Sequence, residues 1–586
     1  MKKIAEYLEW LIVPIKAELP FFLAVIFCTY LPHFINEIES PQPLFWELRW
    51  MAICVANPVA ISYLLTCVVW ISKSKLLKTI LLAMVFFLMF VNLFLLFNFY
   101  TLLSPWILLL IVETNANESS EFLSQYAFTA GTFISLSFTL LLIVSYVQFE
   151  KNKFTLKRKW QRTVLFLCLM GVLPVGTYML YKTIQLPLLD TQLAIEEWYE
   201  QRGSYANNNT ITNIIYSSHY LNVSGADNQK AIQSSLKAAN QSAQCLEQDS
   251  LNVVLVIGES FSKHHASVYG YRLNTTPTLC NEQKKGNLFV FHDAVAPYNM
   301  TTFSVKNMFS VNCLSKGEPW YSKPMFPVIF KKSGYHVTIW DNQKPSENVN
   351  SYDYSVGSYL YAPQIVPVAY NETNSKTSQY DLPFVQSLKQ TNHQQAKHNL
   401  VIIHLMGQHS DAAQRFPNQN KYNVFKVADI SANVTEAQKQ SIADYDNATL
   451  YNDLVIQTIM NMYKTKSTVL LYLSDHGEEV YDYRNHLGRT HERKKTPLSL
   501  KYQYQIPFVV WCSDKYIEKH PDKAISLRQA TEKPFLSSDI SHMLFSLGAI
   551  KTPFYMPDKD ILNEQYQCGK RMVQQKTDYD RTIREE

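Results

Sequence analysis

The stretch LLYLSDHGEEVYDYRNHLGRTHER, residues 470–493, ends an apolar run in Ser-Asp-His-Gly-Glu. It sets Asp475, His476, Glu478, His486 and His491 just past what reads as a buried strand. Carboxylates and imidazoles hold divalent metals and move protons near neutral pH. Three more apolar runs end in the same residue types. Glu259 follows 253–257, His404 and His409 follow 400–403, and Asp341 follows 337–340. If the four strands are parallel, all of these groups sit on one sheet edge, where open α/β sheets bind ligands. Carboxylate plus imidazole without thiolate suits zinc, with manganese as the alternative. There are ligands enough for two metals.

Such a site needs a nucleophile. PYNMTTFSVKNMFSV, residues 297–311, places Thr301 and Thr302 ahead of an amphipathic stretch that reads as a helix. A helix N-terminus offers free N–H groups and the positive end of the dipole, and both favour an alkoxide or a phosphate. A free threonine hydroxyl is a weak nucleophile, and a divalent metal activates it. The plain alternative is a threonine helix cap.

The elements that must position these groups are short apolar runs: NVVLVIG, HVTIW, NLVIIHLMG, TVLLYLSD and IPFVVWC. Helical patterns such as 438–463 separate several of them. The expected fold is α/β, a mostly parallel sheet buried on both faces by flanking helices. Ahead of it the chain is densely apolar. Five spans fit a bilayer core, at roughly 19–36, 50–71, 79–100, 127–147 and 163–183. Lys2, Lys3, Lys73, Lys75, Lys78 and the basic loop 151–162 alternate with loops 36–48 and 101–126, which hold no Lys or Arg. This bias puts the N-terminus in the cytoplasm and everything after residue 183 outside it. The expected organisation is a five-helix anchor at 1–183 and a periplasmic linker of loop and short bridging helices at 184–249. A catalytic domain at 250–565 and a polar tail at 566–586 follow. The net charge of +5 is unfocused and does not suggest nucleic acid. Cys245, Cys280, Cys313, Cys512 and Cys568 lie in the external half, where an oxidising compartment permits disulfides.

Taken in order, VIGES…YGY, TTFSVKNMFS, WDNQ, HLMGQHS…RFP, YDNATLYND and YLSDHGEE…H resemble the phosphoethanolamine transferases of lipid A and lipopolysaccharide core. These enzymes carry an alkaline phosphatase/sulfatase fold behind five membrane helices. ETNANESSEFL, residues 113–123, is similar to an external loop of the same family. The resemblance implies that Glu259, Thr301, Asp475 and His476 hold a catalytic zinc ion, with Thr301 as nucleophile. It implies roles for His409, Glu478 and His486 at the transferred group or a second metal, with His486 preferred to His491. His491, His404 and Asp341 are expected in supporting positions. Glu113, Thr114 and Asn115 are expected to contact the lipid donor or acceptor. The implied donor is phosphatidylethanolamine. Cysteines that flank the nucleophile in the lipid A subgroup are replaced here by Pro297 or Tyr298 and Asn307, and loop 344–354 has none. The acceptor is therefore open between lipid A, a core sugar and another surface glycan. A glycerol-phosphate transferase using phosphatidylglycerol and a catalytically dead membrane scaffold are the rival readings. A sulfatase that cleaves sulfate esters is disfavoured, because TTFSV is not a formylglycine sequence.

Overall fold

The computed structural model describes residues 2–38, 44–99, 101–103, 126–152, 210–344, 356–388, 396–409, 411–489 and 495–584, with scattered positions between 104 and 125 and between 160 and 195. Glu113, Thr114, Asn115, His491 and nearly all of the fifth expected span lie outside the described residues. The chain divides into two compact units, Met1–Ser224 and Gly225–Glu586.

The first unit is helical: α1 (Lys2–Ala17), α2 (Leu19–Ile38), α3 (Leu44–Ser72), α4 (Lys75–Phe99) and α5 (Ala130–Lys151). α4 and α5 are each long and apolar enough to cross a membrane. A third span results if Trp10–Ala17 and Leu19–Pro32, bent by 81°, act as one, and Pro58–Ser72 is a shorter apolar helix. The expected count of five thus has two or three counterparts among the described residues. Phe21, Val25, Phe86, Met89 and Leu93 bury one face of this bundle. Phe87, Phe133, Leu140, Leu141 and Val144 stay exposed. Apolar surface on the outside of a helical bundle suits lipid rather than water. At one end Lys78 Nζ reaches Glu18 at 2.7 Å and Glu150 at 2.6 Å, tying α4 to α5 and to the α1–α2 bend.

A 29-residue helix, α6 (Thr210–Ala238), replaces the expected short helices. Its Asn, Gln and Ser content reads as loop, but Tyr216, Tyr220, Val223, Ala231 and Ile232 are buried at helical spacing. Packing of that stripe outweighs weak propensity.

The second unit is built on a seven-stranded sheet. The strands are β1 (Leu251–Gly258), β2 (Leu288–Phe291), β3 (His336–Asp341), β4 (Glu372–Thr373), β5 (His398–His404), β6 (Thr468–Ser474) and β7 (Phe508–Cys512). Their order is β2-β7-β6-β1-β5-β3-β4. The helices used below are α7 (Thr301–Phe309), α8 (Asp381–Leu388), α9 (Glu436–Tyr463) and α10 (Pro497–Tyr504). β6, β1, β5, β3 and β4 run parallel, as their unbroken apolar runs imply. β7 corrects the expectation: it is antiparallel to β6, and the sheet is mixed. The reason is its connection. Phe508 starts β7 opposite Leu473, at the end where β6 finishes, so the intervening chain never crosses to the other end of the sheet. Both faces are covered. Val253, Leu255 and Ile257 point into one core, Val254 and Val256 into the other.

Register does the positioning. Ile257 is opposite both His404 and Leu473, and Asp341 is opposite His404. Glu259 and Asp475 therefore leave the sheet at the same level on adjacent strands. The tail 566–584 is no free tail. Met572–Val573 and Thr577–Asp578 form a hairpin, with Val573 and Tyr579 buried. Among the described residues no disulfide forms, and all five external cysteines are unpaired.

Leu471 sits mid-strand in β6 with no exposed surface. Leu471→Ala is expected to destabilise the full-length protein by about 2–5 kcal/mol. A urea midpoint equal to that of the wild type would show that β6 is not the packed centre.

Candidate metal and nucleophile site

Glu259, Asp475 and His476 are fully buried, and one ligand atom of each lies within 4.8 Å of the others. His476 Nε2 is 3.2 Å from Glu259 Oε1 and 3.0 Å from Asp475 Oδ2. His476 Nδ1 is 2.9 Å from the Gly477 carbonyl, which can only accept. That contact places a proton on Nδ1, so Nε2 is the nitrogen facing the two carboxylate oxygens. The carboxylates outweigh burial and the Arg489 charge and hold the imidazole up at about 9. Asp475 Oδ2 has no other hydrogen-bond partner among the described residues. Burial and the Glu259 carboxylate push the Asp475 carboxyl group up. Two buried carboxylates side by side need a positive partner, and with an imidazole nitrogen beside them they suit zinc.

The nucleophile candidate faces the same centre. Met300, not Thr301, takes the cap position of α7, and no side chain caps the helix. Thr301 is therefore the first helical residue, and the helix-cap alternative does not apply to it. Its Oγ1 donates to Glu259 Oε2 at 2.9 Å and lies 3.3 Å from His476 Nε2. Thr302 is buried. The four residues predicted to share a metal are thus brought together.

Local backbone explains why Glu259 points there. Ser260 has φ +56°, a left-handed conformation rare for a residue with a side chain. Tyr445 of α9 clasps this turn. Its hydroxyl donates to Ser260 O at 2.6 Å and accepts from Ser262 N at 2.8 Å. Gly407 has φ +49°, and a Cβ there would meet Glu259 O at 2.7 Å and Glu259 N at 2.8 Å. Only glycine lets the β5 loop pass so close, and Gln408 N then donates to Glu259 O at 3.0 Å. The Asp381 carboxylate at the start of α8 accepts from Met406 N and Gly407 N and holds that loop.

The remaining predicted residues divide. Glu478 is buried, 3.2 Å from Arg489 Nε. Glu478 Oε1 and His486 Nε2 both border the position a Cβ on Gly488 would take, 3.9 Å from each. His409 follows the Gly407 loop. Burial pushes both His409 and His486 down to about 4, so both imidazoles are neutral at pH 7. His404 and Asp341 form their own pair at 2.9 Å, and Tyr361 donates to Asp341 at 2.8 Å. Asp341 is linked to the site through Gln343, whose backbone N–H donates to it and whose side chain donates to Glu259 Oε2 at 3.3 Å.

Sequence reasoning missed Arg489, Asn299 and His265. Arg489 Nη1 donates to Asn299 O at 2.9 Å and lies 2.6 Å from His476 Nε2, so its charge faces the two carboxylates. It follows Gly488 in the same histidine-rich loop, but a search for Asp, Glu and His passes over arginine. His265 is buried beside the Ser260 turn, with Nδ1 2.7 Å from Asp446 Oδ1. Tyr271 donates to the second Asp446 oxygen at 2.9 Å. Burial alone would lower the His265 imidazole, but the Asp446 carboxylate, helped by Asp482 3.5 Å from Nε2, outweighs it and holds it at about 10.

Compared with known proteins, residues 251–548 match the family model described as Sulfatase. The chain belongs to the sulfatase family. The phosphoethanolamine transferase EptC of Escherichia coli (strain K12) is 25% identical over 485 residues, which cover 80% of this chain and 79% of that protein. The crystal structure of the C-terminal periplasmic domain of Escherichia coli EptC in complex with zinc superposes with a TM-score of 0.50 at 26% identity. It covers 58% of this chain and 96% of that one. The integral membrane lipooligosaccharide phosphoethanolamine transferase A (EptA) from Neisseria meningitidis covers 94% of this chain and 97% of its own. Its TM-score is 0.61 at 16% identity, a likeness of fold that includes membrane-anchor helices.

The His265–Asp446 pair has a pH signature. The folded-state value of about 10 exceeds the ordinary 6.5, so the stabilisation is full below about pH 6.5 and is lost as pH rises through 10. Thermal unfolding of the wild type should therefore move to lower temperature between pH 7 and pH 10. Asp446→Asn should cost about 3–5 kcal/mol at pH 7 and flatten that slope. Equal slopes in the two proteins would contradict the pairing.

Proposed function

We propose that this protein transfers phosphoethanolamine from phosphatidylethanolamine to a lipopolysaccharide or related surface glycan, through a covalent intermediate on Thr301. The observation that carries the reading is the Thr301 hydroxyl, 2.9 Å from Glu259 and 3.3 Å from His476 at the head of α7. The similarity to EptC supports the substrate class. Glu259, Thr301, Asp475 and His476 would hold a zinc ion, whose chemistry is to lower the pKa of the bound hydroxyl and to offset phosphoryl charge.

In the first half-reaction the Thr301 oxygen forms a bond to phosphorus and the bond to the diacylglycerol oxygen breaks. The threonine proton ends on that leaving oxygen. Glu259 orients the hydroxyl before attack. The N-terminus of α7 supplies N–H groups to the phosphoryl oxygens, and Arg489 supplies positive charge. In the second half-reaction an acceptor hydroxyl attacks phosphorus and the bond to Thr301 breaks. That hydroxyl's proton must end on the departing Thr301 oxygen, and the neutral imidazoles of His409 and His486 suit the general base that takes it up and passes it on. A five-span anchor, with the N-terminus cytoplasmic and the catalytic unit in the periplasm, would keep the site beside a donor that never leaves the bilayer. Glu113, Thr114 and Asn115 are proposed to meet the lipid there.

Incubation with phosphatidylethanolamine and peptide mass spectrometry tests the intermediate. The adduct is expected on Thr301. Thr301→Ala should lower transfer by roughly 10³-fold or more, while Thr301→Ser keeps part of it and Thr302→Ala keeps most. An adduct on Thr302 or Ser304, or full transfer by Thr301→Ala, would refute the assignment.

A further inference from the structure

The segment before Thr301 is held from an unexpected direction. The turn of the C-terminal hairpin contains two consecutive residues with positive φ, Gln574 at +49° and Gln575 at +58°. Neither is glycine, so the turn is strained and the surrounding structure must enforce it. What enforces it is contact with the nucleophile segment. Gln574 N donates to Pro297 O at 2.8 Å, Gln574 Nε2 donates to Asn299 Oδ1 at 3.0 Å, and Gln575 Nε2 donates to Tyr298 OH at 2.9 Å. The hairpin is anchored by Arg571, which is buried and pairs with Asp293 at 2.6 Å and Asp580 at 2.5 Å.

From Asn299 the hydrogen bonds continue. Asn299 Nδ2 donates to Gln503 Oε1 at 2.8 Å, and Gln503 Nε2 donates to Tyr483 OH at 3.0 Å. Gln574, Asn299 and Gln503 are all buried. Gln574 donates to Asn299, and the Asn299 and Gln503 carboxamides each accept from one neighbour and donate to the next, so the hydrogen bonds run in one direction along the chain. Gln503 also accepts from Gly477 N through its carbonyl at 3.1 Å. A Cβ on Gly477 would meet Tyr502 O at 2.4 Å, so the residue after His476 is pressed directly onto α10. One buried amide chain thus joins the residue two before Thr301 to the residue after His476.

We propose that the C-terminal hairpin is a positioning element for the transfer reaction: Gln574, through Asn299 and Gln503, sets the approach of Thr301 to the carboxylate and imidazole groups it must face. Gln574 touches no substrate and acts through Asn299. The reach of the nucleophile then depends on residues more than 270 positions downstream. A small displacement of an attacking atom costs rate without costing substrate affinity.

This inference rests on the transferase reading above. The test uses the full-length protein in detergent with fluorescent phosphatidylethanolamine, reading kcat, KM for the donor, zinc content and melting temperature. Gln574→Met keeps side-chain volume and removes the amide. It should lower kcat by about 10–100-fold with KM and zinc content unchanged. Thr577→Val, altered in the same hairpin but away from residues 297–299, should stay within about twofold of the wild type. Gln574→Met at wild-type kcat, equal losses in both variants, or a loss of kcat that merely tracks melting temperature or zinc content would each overturn the positioning role. A wild-type protein that transfers nothing would overturn the transferase reading itself, and this inference with it.

Discussion

Two carboxylates and an imidazole nitrogen converge on one buried point, and the rest of the second unit is arranged around the cost of that convergence. Isolated buried anions are unstable, and side-by-side anions more so. Glu259 and Asp475 can be placed together because β1 and β6 are adjacent, parallel and in register at their carboxyl ends. A slip of one residue would turn the side chains over to the other face. The register is pinned by two apolar cores that alternate along every central strand.

The site also depends on strain held in place from several sides. Ser260 is left-handed, Gly407 passes Glu259 with no room for a side chain, and Gly477 lies against α10. Tyr445 and Asp381 hydrogen-bond to the first two of these segments, the Gln503 backbone carbonyl to the third, and the hairpin amides to the residues before Thr301. Rigid support of this kind lets a weak nucleophile be aimed instead of found by diffusion. It explains why polar residues from α8, α9, α10 and the C-terminal hairpin are buried around a site whose ligands come from strand ends and one helix.

Much of this was legible in the sequence, for a physical reason. Unbroken apolar runs of strand length mark buried parallel strands, and ligand-type residues at their ends mark the edge that binds. Glu259, Asp475 and His476 stand at such ends, whereas the choice of Thr301, at a helix start, and of these four as one set came from the resemblance to the transferases. The direction of β7 does not, since an apolar run looks the same in either sense and only the path of its connection reverses it. α6 was hidden because its buried stripe is itself partly polar, with Ser217, Ser224, Asp227, Asn228 and Ser235 buried beside the apolar residues. Asn299, Gln503 and Gln574 were invisible, because a lone amide carries no periodic signal and its partner lies 275 positions away. Whether Thr301 caps its helix or begins it is a one-residue distinction that only backbone geometry makes. The anchor reads as apolar helices, of which two, or three with the bent pair, are long and apolar enough to span a membrane among the described residues.

Anomalous diffraction at the zinc absorption edge, on crystals of the zinc-loaded protein, addresses the convergence most directly. The account predicts one strong peak about 2.0–2.2 Å from an oxygen of Glu259, an oxygen of Asp475 and Nε2 of His476. A peak held instead by His404 and Asp341, or no peak among the three predicted ligands, would contradict it.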